Sequence, residues 1–151
     1  MIYTRKATLD DLSLLLEFEQ GVIAAERPFD PTLKEGEISY YNIEKMILAT
    51  DVEIVVAILN KQIIGSGYAR ITNAKPYFNH DLFAYLGFMY THPDHRGKGV
   101  NIKIIEALTS WVHSQNIFEI RLDVYNNNLS AIKAYEKAGF KKHLINMRLS
   151  L

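Results

Sequence analysis

A chain of 151 residues in which 48% are hydrophobic is of ordinary single-domain size and buries about two thirds of the surface its unfolded form exposes. Lys and Arg total 17, as do Asp and Glu, which argues against a broad nucleic-acid footprint or a basic membrane-binding face and makes any cationic site local. The absence of cysteine excludes disulfides, thiolate zinc sites and a cysteine nucleophile.

In chain order, Ile2 to Lys6 predicts a short strand. Thr8-Leu9-Asp10-Asp11 then opens a helix whose Leu12, Leu15, Leu16, Glu19, Val22 and Ile23 form one mostly apolar stripe. Arg5, Lys6, Asp10 and Asp11 interrupt any signal-peptide pattern, and no segment approaches the roughly 20 apolar residues of a membrane span, so the cytoplasm is the expected location. Pro28 and Pro31 end the helix, and a second helical pattern runs from about Ile38 to Ala49. Glu53 to Leu59 reads as a β-branched strand, Asn60-Lys61 as a turn, and Gln62 to Ile71 as the returning arm of a hairpin. A loop from Thr72 to Asp81 contains Pro76, and Phe83 to Tyr90 is almost wholly apolar, as a central strand should be.

The next segment carries the most chemistry. His92-Pro93-Asp94-His95-Arg96-Gly97-Lys98-Gly99 sets two glycines and two cations between that strand and a helix marked by Val100, Ile104, Leu108, Trp111 and Val112. The first backbone N–H groups of a helix have no intrahelical partner, and the macrodipole favours negative charge there, so the segment predicts an anion site. A Walker loop is excluded, because His92 stands where its first Gly belongs and Gly99 replaces the hydroxyl after Lys98. A dinucleotide-binding turn is excluded by Ile102, where its third Gly belongs. Beyond this helix, Ile117 to Val124 predicts a strand with Ile120, Leu122 and Val124 on one face. Asn126 to Asn128 break it, Asn128 caps a last helix, Gly139 closes that helix, and Lys141 to Leu151 supply two short strands.

Arg96-Gly97-Lys98-Gly99-Val100-Asn101 resembles the coenzyme A pyrophosphate loop of the GNAT superfamily of acyl-CoA-dependent N-acyltransferases, Arg/Gln-x-x-Gly-x-Gly/Ala. The departure is Asn101 in the final small position. Asn128-Leu129-Ser130-Ala131-Ile132-Lys133-Ala134-Tyr135-Glu136-Lys137-Ala138-Gly139-Phe140 is similar to the family's Asn-x-x-Ala-x-x-x-Tyr-x-x-x-Gly-Phe helix at every fixed position. The resemblance implies a single GNAT acetyltransferase domain over residues 1–151, in the α/β class, with a mixed, mostly antiparallel central sheet of about seven strands flanked by about four helices. It implies acetyl-CoA as co-substrate and no metal. The backbones of Met89, Tyr90 and Thr91 would meet pantetheine, Arg96, Gly97, Lys98, Gly99, Val100 and Asn101 the pyrophosphate, and Asn128 would also touch the cofactor.

Acyl transfer to an amine requires a neutral attacking nitrogen and a proton for the departing thiolate. By the resemblance Tyr135 is the general acid, and an ordinary phenol with a pKa near 10 keeps its proton at neutral pH. Asp123 is the first candidate for general base, where some family members carry a catalytic carboxylate. Glu26 is the second, and a water relayed by Tyr85 the third. To take a proton from an amine, a carboxyl must be raised toward 7, which for Asp requires roughly 4 kcal/mol of desolvation or like-charge repulsion. Between positions 26 and 37, Glu26, Asp30, Glu35 and Glu37 outnumber Arg27 and Lys34, which favours a cationic amine or else is solvated loop charge. Tyr40, Tyr41, Tyr77, Phe78 and Tyr85 line a substrate slot or pack the core.

The function expected is N-acetylation of a primary amine, on a small molecule or a protein, with no nucleic-acid or membrane partner. Two other readings stand beside it. One is an acyl-CoA sensor without catalysis; the other is a module whose Arg96 and Lys98 grip an acidic peptide or phosphorylated surface. The C-terminal edge strand could also pair two copies into a homodimer, although no single residue specifies it.

Overall fold

Val52–Leu59 (β2) is apolar at seven of its eight positions, and the structure, a computed structural model describing residues 1–151, gives the reason: both faces of the strand are covered. Val52, Ile54, Val56 and Ile58 turn to a layer that contains Leu15, Phe18, Val22, Ile43 and Ile47. Val55 and Ala57 turn to the opposite layer, with Val100, Ile104, Leu108 and Val112. Two apolar clusters therefore sandwich one sheet, as the period of two in a strand requires.

The sheet runs β1 (Tyr3–Lys6), β2, β3 (Gln62–Asn73), β4 (Leu82–Thr91) and β5 (Ile120–Arg121) in sequence order. The first three pairings are antiparallel and the last is parallel. On one face lie α1 (Leu12–Glu26) and α2 (Ile43–Leu48), and on the other α3 (Val100–Ser114); α4 (Leu129–Lys137) follows β5. In the β2–β3 turn, Asn60 and Lys61 both take positive φ, 50° and 66°, the geometry whose twist matches a two-residue hairpin. Gly67 lets α3 approach, since a Cβ there would sit 2.7 Å from Ile104 and from Met89.

Several sequence expectations shift. On α1 the buried set is Leu15, Phe18, Glu19, Val22 and Ile23, a strict i, i+3, i+4, i+7, i+8 stripe. Leu16 lies off that stripe and is exposed. The helix expected from Ile38 begins only at Ile43, because Tyr40 and Tyr41 direct their N–H groups to the Glu19 carboxylate instead of a helical ladder. Asn42 then caps α2 by accepting from the Lys45 N–H.

The count of about seven strands is corrected to five, with the four helices as expected. The strand expected over Ile117 to Val124 is paired only at Ile120 and Arg121, opposite Ala84 and Tyr85. The two strands expected from Lys141 to Leu151 are absent, since that segment has no neighbour to pair with. Alternation can mark a strand, but ladder bonds need a partner within reach.

Candidate active site

The β3–β4 ladder is irregular where it passes the middle of β4. Tyr68 is opposite Gly87 and Ser66 opposite Tyr90, so Phe88 and Met89 together face the single residue Gly67. This is a β-bulge. Phe88 takes φ 55°, uncommon for a bulky residue, and its carbonyl accepts from the buried Ser66 hydroxyl at 3.2 Å. On its other edge β4 meets β5 only at Ala84 and Tyr85, so from Leu86 to Thr91 that edge has no strand partner. Met89, Tyr90 and Thr91 lie along this open edge, whose backbone groups are available to an amide-bearing ligand.

The chain then makes a 3-10 turn over Pro93–His95 and reaches Arg96, Gly97, Lys98 and Gly99. Gly97 and Gly99 have φ of 77° and 81°, conformations that a residue with a Cβ enters at a cost. Gly99 is the N-cap of α3, and no side chain caps the helix. The first intrahelical bond there runs from the Lys103 N–H to the Gly99 carbonyl, which leaves the N–H groups of Val100, Asn101 and Ile102 without helical acceptors. Beside the loop, Lys98, Gly99, Lys103 and Lys137 contribute to a surface cleft of ≈ 870 Å³. Uncapped donors beside three ammonium groups suit a phosphate-bearing ligand. Asn128 caps α4, its side-chain carbonyl accepting from the Ala131 N–H at 3.2 Å while its NH₂ stays available. Gly139, at φ 104°, closes that helix: Phe140 donates to the Tyr135 carbonyl and Gly139 to that of Glu136.

Titratable groups gather into two sets. In the first, Glu26 at the end of α1 is half-buried; burial raises its carboxyl above the ordinary range, the neighbouring Tyr40 hydroxyl opposes the rise, and the Asp30 charge adds to it. Its charge acts on Tyr40, Tyr41, Tyr125 and Tyr135. Burial, with a smaller contribution from Glu26, pushes Tyr135 up to about 12. Tyr125 donates to Asp30 at 2.6 Å and stacks on Phe29. The Tyr40 hydroxyl is buried beside the Glu26 carboxylate. A buried hydroxyl and a carboxyl side by side are natural contacts for a polar substrate.

In the second set, Tyr85 donates to Asp123 at 3.2 Å, and the Asp123 charge raises Tyr85 and Tyr68 after burial has done so more strongly. Asp123 is exposed. Of the two carboxylates expected from sequence, Glu26 is the one whose charge reaches Tyr135. Tyr77 and Phe78 sit in the β3–β4 connection, with Phe78 and Phe83 beneath the Arg121 guanidinium. His92 and His95 have rings 5.7 Å apart, and no group of three His, Asp or Glu side chains is disposed to hold a metal.

Sequence reasoning passed over Tyr125 and the bulge at Phe88. The Asp30–Tyr125 bond joins residues 95 positions apart, for which the sequence holds no local signal. Glu19 did leave one: a carboxylate on an apolar stripe must find donors, and it finds the Tyr40 N–H at 2.9 Å, the Tyr41 N–H at 2.8 Å and the Ser39 hydroxyl.

Comparison with known proteins places this arrangement. The model of the Acetyltransferase (GNAT) family matches residues 20–140. A streptothricin acetyltransferase of Escherichia coli is 44% identical over 46 residues, which are 30% of this chain and 26% of that protein, so the likeness covers about a quarter of the relative. A crystal structure of a predicted acetyltransferase with acetyl-CoA from Clostridium acetobutylicum superposes with TM-score 0.74 at 22% identity, over 99% of this chain and 96% of that one. A mutant of the BH1408 protein from Bacillus halodurans reaches TM-score 0.87 at 20% identity, over 98% of each chain. At these identities the two structures speak for the fold.

Proposed function

Because the chain belongs to the acetyltransferase (GNAT) family, we propose that it transfers an acetyl group from acetyl-CoA to the primary amine of a small molecule, by direct attack in a ternary complex. Acetyl-CoA, when bound, supplies the thioester carbonyl and the thiolate leaving group. The N–H groups of Val100, Asn101 and Ile102, with Arg96 and Lys98, hold its pyrophosphate, and the open backbone edge at Met89, Tyr90 and Thr91 holds the pantetheine amides. The Asn128 NH₂ group is an additional donor to the cofactor. The observation that carries the reading is the uncapped, glycine-flanked start of α3, which follows directly on a strand edge left without a partner.

Glu26 is the general base in this reading. Its raised carboxyl narrows the gap to an amine of pKa about 10.4, and each unit of rise removes about 1.4 kcal/mol from the proton transfer. Asp123, exposed and bonded to Tyr85, is instead a positioning residue for that phenol.

Tyr135 is the acid. At about 12 it lies about 3.5 units above an ordinary thiol near 8.5, so full transfer to the departing thiolate would cost about 5 kcal/mol. The electrostatics of the site lessen that cost. When Glu26 accepts the amine's proton, its negative charge disappears, and with it one of the two influences that raise Tyr135. Deprotonating the nucleophile thereby strengthens the acid. The surrounding carboxylates and phenols of Asp30, Tyr40 and Tyr125 suit a cationic acceptor. The likeness to streptothricin acetyltransferase supports a small-molecule one.

The test is release of coenzyme A from acetyl-CoA across a panel of amines, by the native chain and by Tyr135→Phe, Glu26→Gln and Asp123→Asn. Turnover with one amine class that falls about a hundredfold or more in Tyr135→Phe and Glu26→Gln supports the assignment. Loss in Asp123→Asn but not in Glu26→Gln returns the base to Asp123. Binding of acetyl-CoA without turnover on any amine leaves a sensor, and absence of binding overturns the loop assignment.

A further inference from the structure

Two exposed charges on the sheet stand without a counter-charge. The chain's ion pairs engage the cations Arg5, Lys6, His92 and Arg121, and neither Arg70 nor Asp123 takes part in any of them. Arg70 lies on β3 in register with Tyr85 of β4, and Tyr85 is in register with Arg121 of β5, two residues before Asp123. Opposite charges thus flank one phenol across neighbouring strands. Asp123 accepts from the Tyr85 hydroxyl at 3.2 Å, and both charges act on the buried Tyr68, Arg70 lowering it and Asp123 raising it.

Aromatic rings hold Arg70 in place. Its guanidinium is 5.5 Å from the centroid of the Tyr68 ring and 6.0 Å from that of Tyr85, and a ring face attracts the cation while leaving its N–H groups free to donate. Those N–H groups form a planar fork that matches a carboxylate with two parallel hydrogen bonds. Asp123 accepts from Tyr85 through one carboxylate oxygen and keeps the other for an ammonium. A carboxylate placed alone at Arg70 would meet Asp123 as a like charge, and an ammonium placed alone at Asp123 would meet Arg70 so. A group that carries both charges side by side satisfies both.

The same face of the sheet leads to the reacting centre. Tyr68 and Tyr85 pack in the apolar layer that also holds Phe88, the residue of the bulge. Tyr41 joins the two regions: its ring centroid is 5.5 Å from that of Tyr68 and 5.3 Å from that of Phe88. Its hydroxyl is raised by burial first and then by Tyr68, Glu26 and Tyr85, so it stands between the Glu26 set and the Asp123 set. Phe88 is three residues beyond Tyr85 on β4, about 10 Å at the rise of a strand. An acceptor anchored by a charged head beside Tyr85 therefore needs a stem of several carbons to bring its amine toward Glu26.

We propose that Arg70 and Asp123 form a specificity subsite for the zwitterionic head of an α,ω-diamino acid, with its carboxylate on Arg70, its α-ammonium on Asp123 and its far-end amine at Glu26. The subsite rests on the acetyltransferase reading above and names the acceptor for it. The reaction is the one already assigned. Acetyl-CoA and the diamino acid give coenzyme A and the ω-N-acetyl amino acid: a carbon–sulfur bond is exchanged for a carbon–nitrogen bond, and one proton passes from nitrogen to sulfur. A primary amine without the head reaches the same catalytic groups and forfeits both ion pairs.

Free lysine, cadaverine and ε-aminocaproate test it, because they share the far-end amine and differ in the head: cadaverine lacks the carboxylate and ε-aminocaproate the α-amine. With the native chain, kcat/KM for lysine should exceed that for either of the others by about tenfold or more, with the acetyl group on the side-chain nitrogen. Arg70→Gln should lower the lysine value about tenfold or more through KM, keep kcat, and leave cadaverine unmoved; Arg70→Lys should recover part of the loss. Equal kcat/KM for lysine and cadaverine, equal losses on both in Arg70→Gln, or acetylation of the α-nitrogen overturns the subsite. Calorimetry of lysine binding in the presence of coenzyme A, with the native chain and Arg70→Gln, separates the subsite from the reaction. Absence of turnover on every amine overturns the acetyltransferase reading, while lysine binding that is lost in Arg70→Gln upholds the subsite. Lysine binding that is absent from the native chain, or equal in the two, overturns it.

Discussion

Glu26, the base in the proposed reaction, is a group whose burial bears on the stability of the fold. Its carboxyl is raised by burial, against the neighbouring Tyr40 hydroxyl and with a further contribution from Asp30, so the folded chain binds that proton more tightly than the unfolded chain does. Stability therefore falls as pH rises from the ordinary carboxylate value through the raised one, and at neutral pH the ionised group is a net cost to the fold. Glu26→Gln should raise Tm at pH 7 by about 1–3 °C, in keeping with a fraction of a kcal/mol in a domain of this size, while abolishing turnover. The same variant should show no such gain at pH 4. A thermal melt at the two pH values decides it, and an unchanged or lower Tm at pH 7 would count against the raised carboxyl. Asp11 works in the opposite sense. It accepts from Arg5 at 2.7 and 2.9 Å and from the Thr8 N–H at 2.8 Å, which lowers its carboxyl, so the stability it contributes is present above its ordinary value and lost as pH falls through the lowered one.

Among elements, the segment joining α1 to α2 depends on one buried carboxylate. Glu19 is 1% exposed and collects Ser39, Tyr40 and Tyr41, thereby fixing where the Tyr40 ring stands relative to Glu26. Glu19→Ala strands those donors and should cost about 2–4 kcal/mol, since each unpaired buried polar group costs about 1–3. It should also raise KM for the amine more than KM for acetyl-CoA, which steady-state kinetics on both substrates would read. Gly99 tests the other end of the site. A Cβ there meets nothing within 4 Å, so Gly99→Ala is opposed only by φ 81°. The expected result is a loss of about 1–2 kcal/mol in stability and at least a tenfold weaker Kd for coenzyme A, measured by calorimetry. An unaltered Kd would mean that the loop does not hold the pyrophosphate.

At the scale of the whole molecule, apolar matter is unevenly satisfied. Both faces of β2 are closed, whereas Leu144, Ile145, Met147, Leu149 and Leu151 lie open beyond α4. A segment that buries nothing contributes little to the fold, so Met147→Asp/Leu149→Asp should change stability by no more than about 0.5 kcal/mol. Denaturant titration of the native chain and this variant checks it. A loss of about 2 kcal/mol or more, the size expected of buried apolar side chains, would mean that the tail is packed in solution.

Local periodicity and turn chemistry were enough to predict most elements, because they are dictated by near neighbours. The β2–β3 hairpin follows from Asn60-Lys61 between β-branched runs, α4 from the Asn128 cap and Gly139, and the start of α3 from Gly97 and Gly99. The candidate site was legible to the same depth: the anion loop and Tyr135 lie in contiguous motifs. The rest depends on contacts made across the chain. The stretch from Ile38 to Asn42 is non-helical because Glu19, about 20 residues earlier, takes the Tyr40 and Tyr41 N–H groups. Folding alone brings Glu26 within electrostatic reach of Tyr135, more than a hundred positions away. The strands expected from Lys141 to Leu151 carry the right alternation and still form no ladder. Side-chain alternation belongs to the segment itself, whereas a hydrogen-bonded strand exists only where the tertiary or quaternary structure supplies its neighbour.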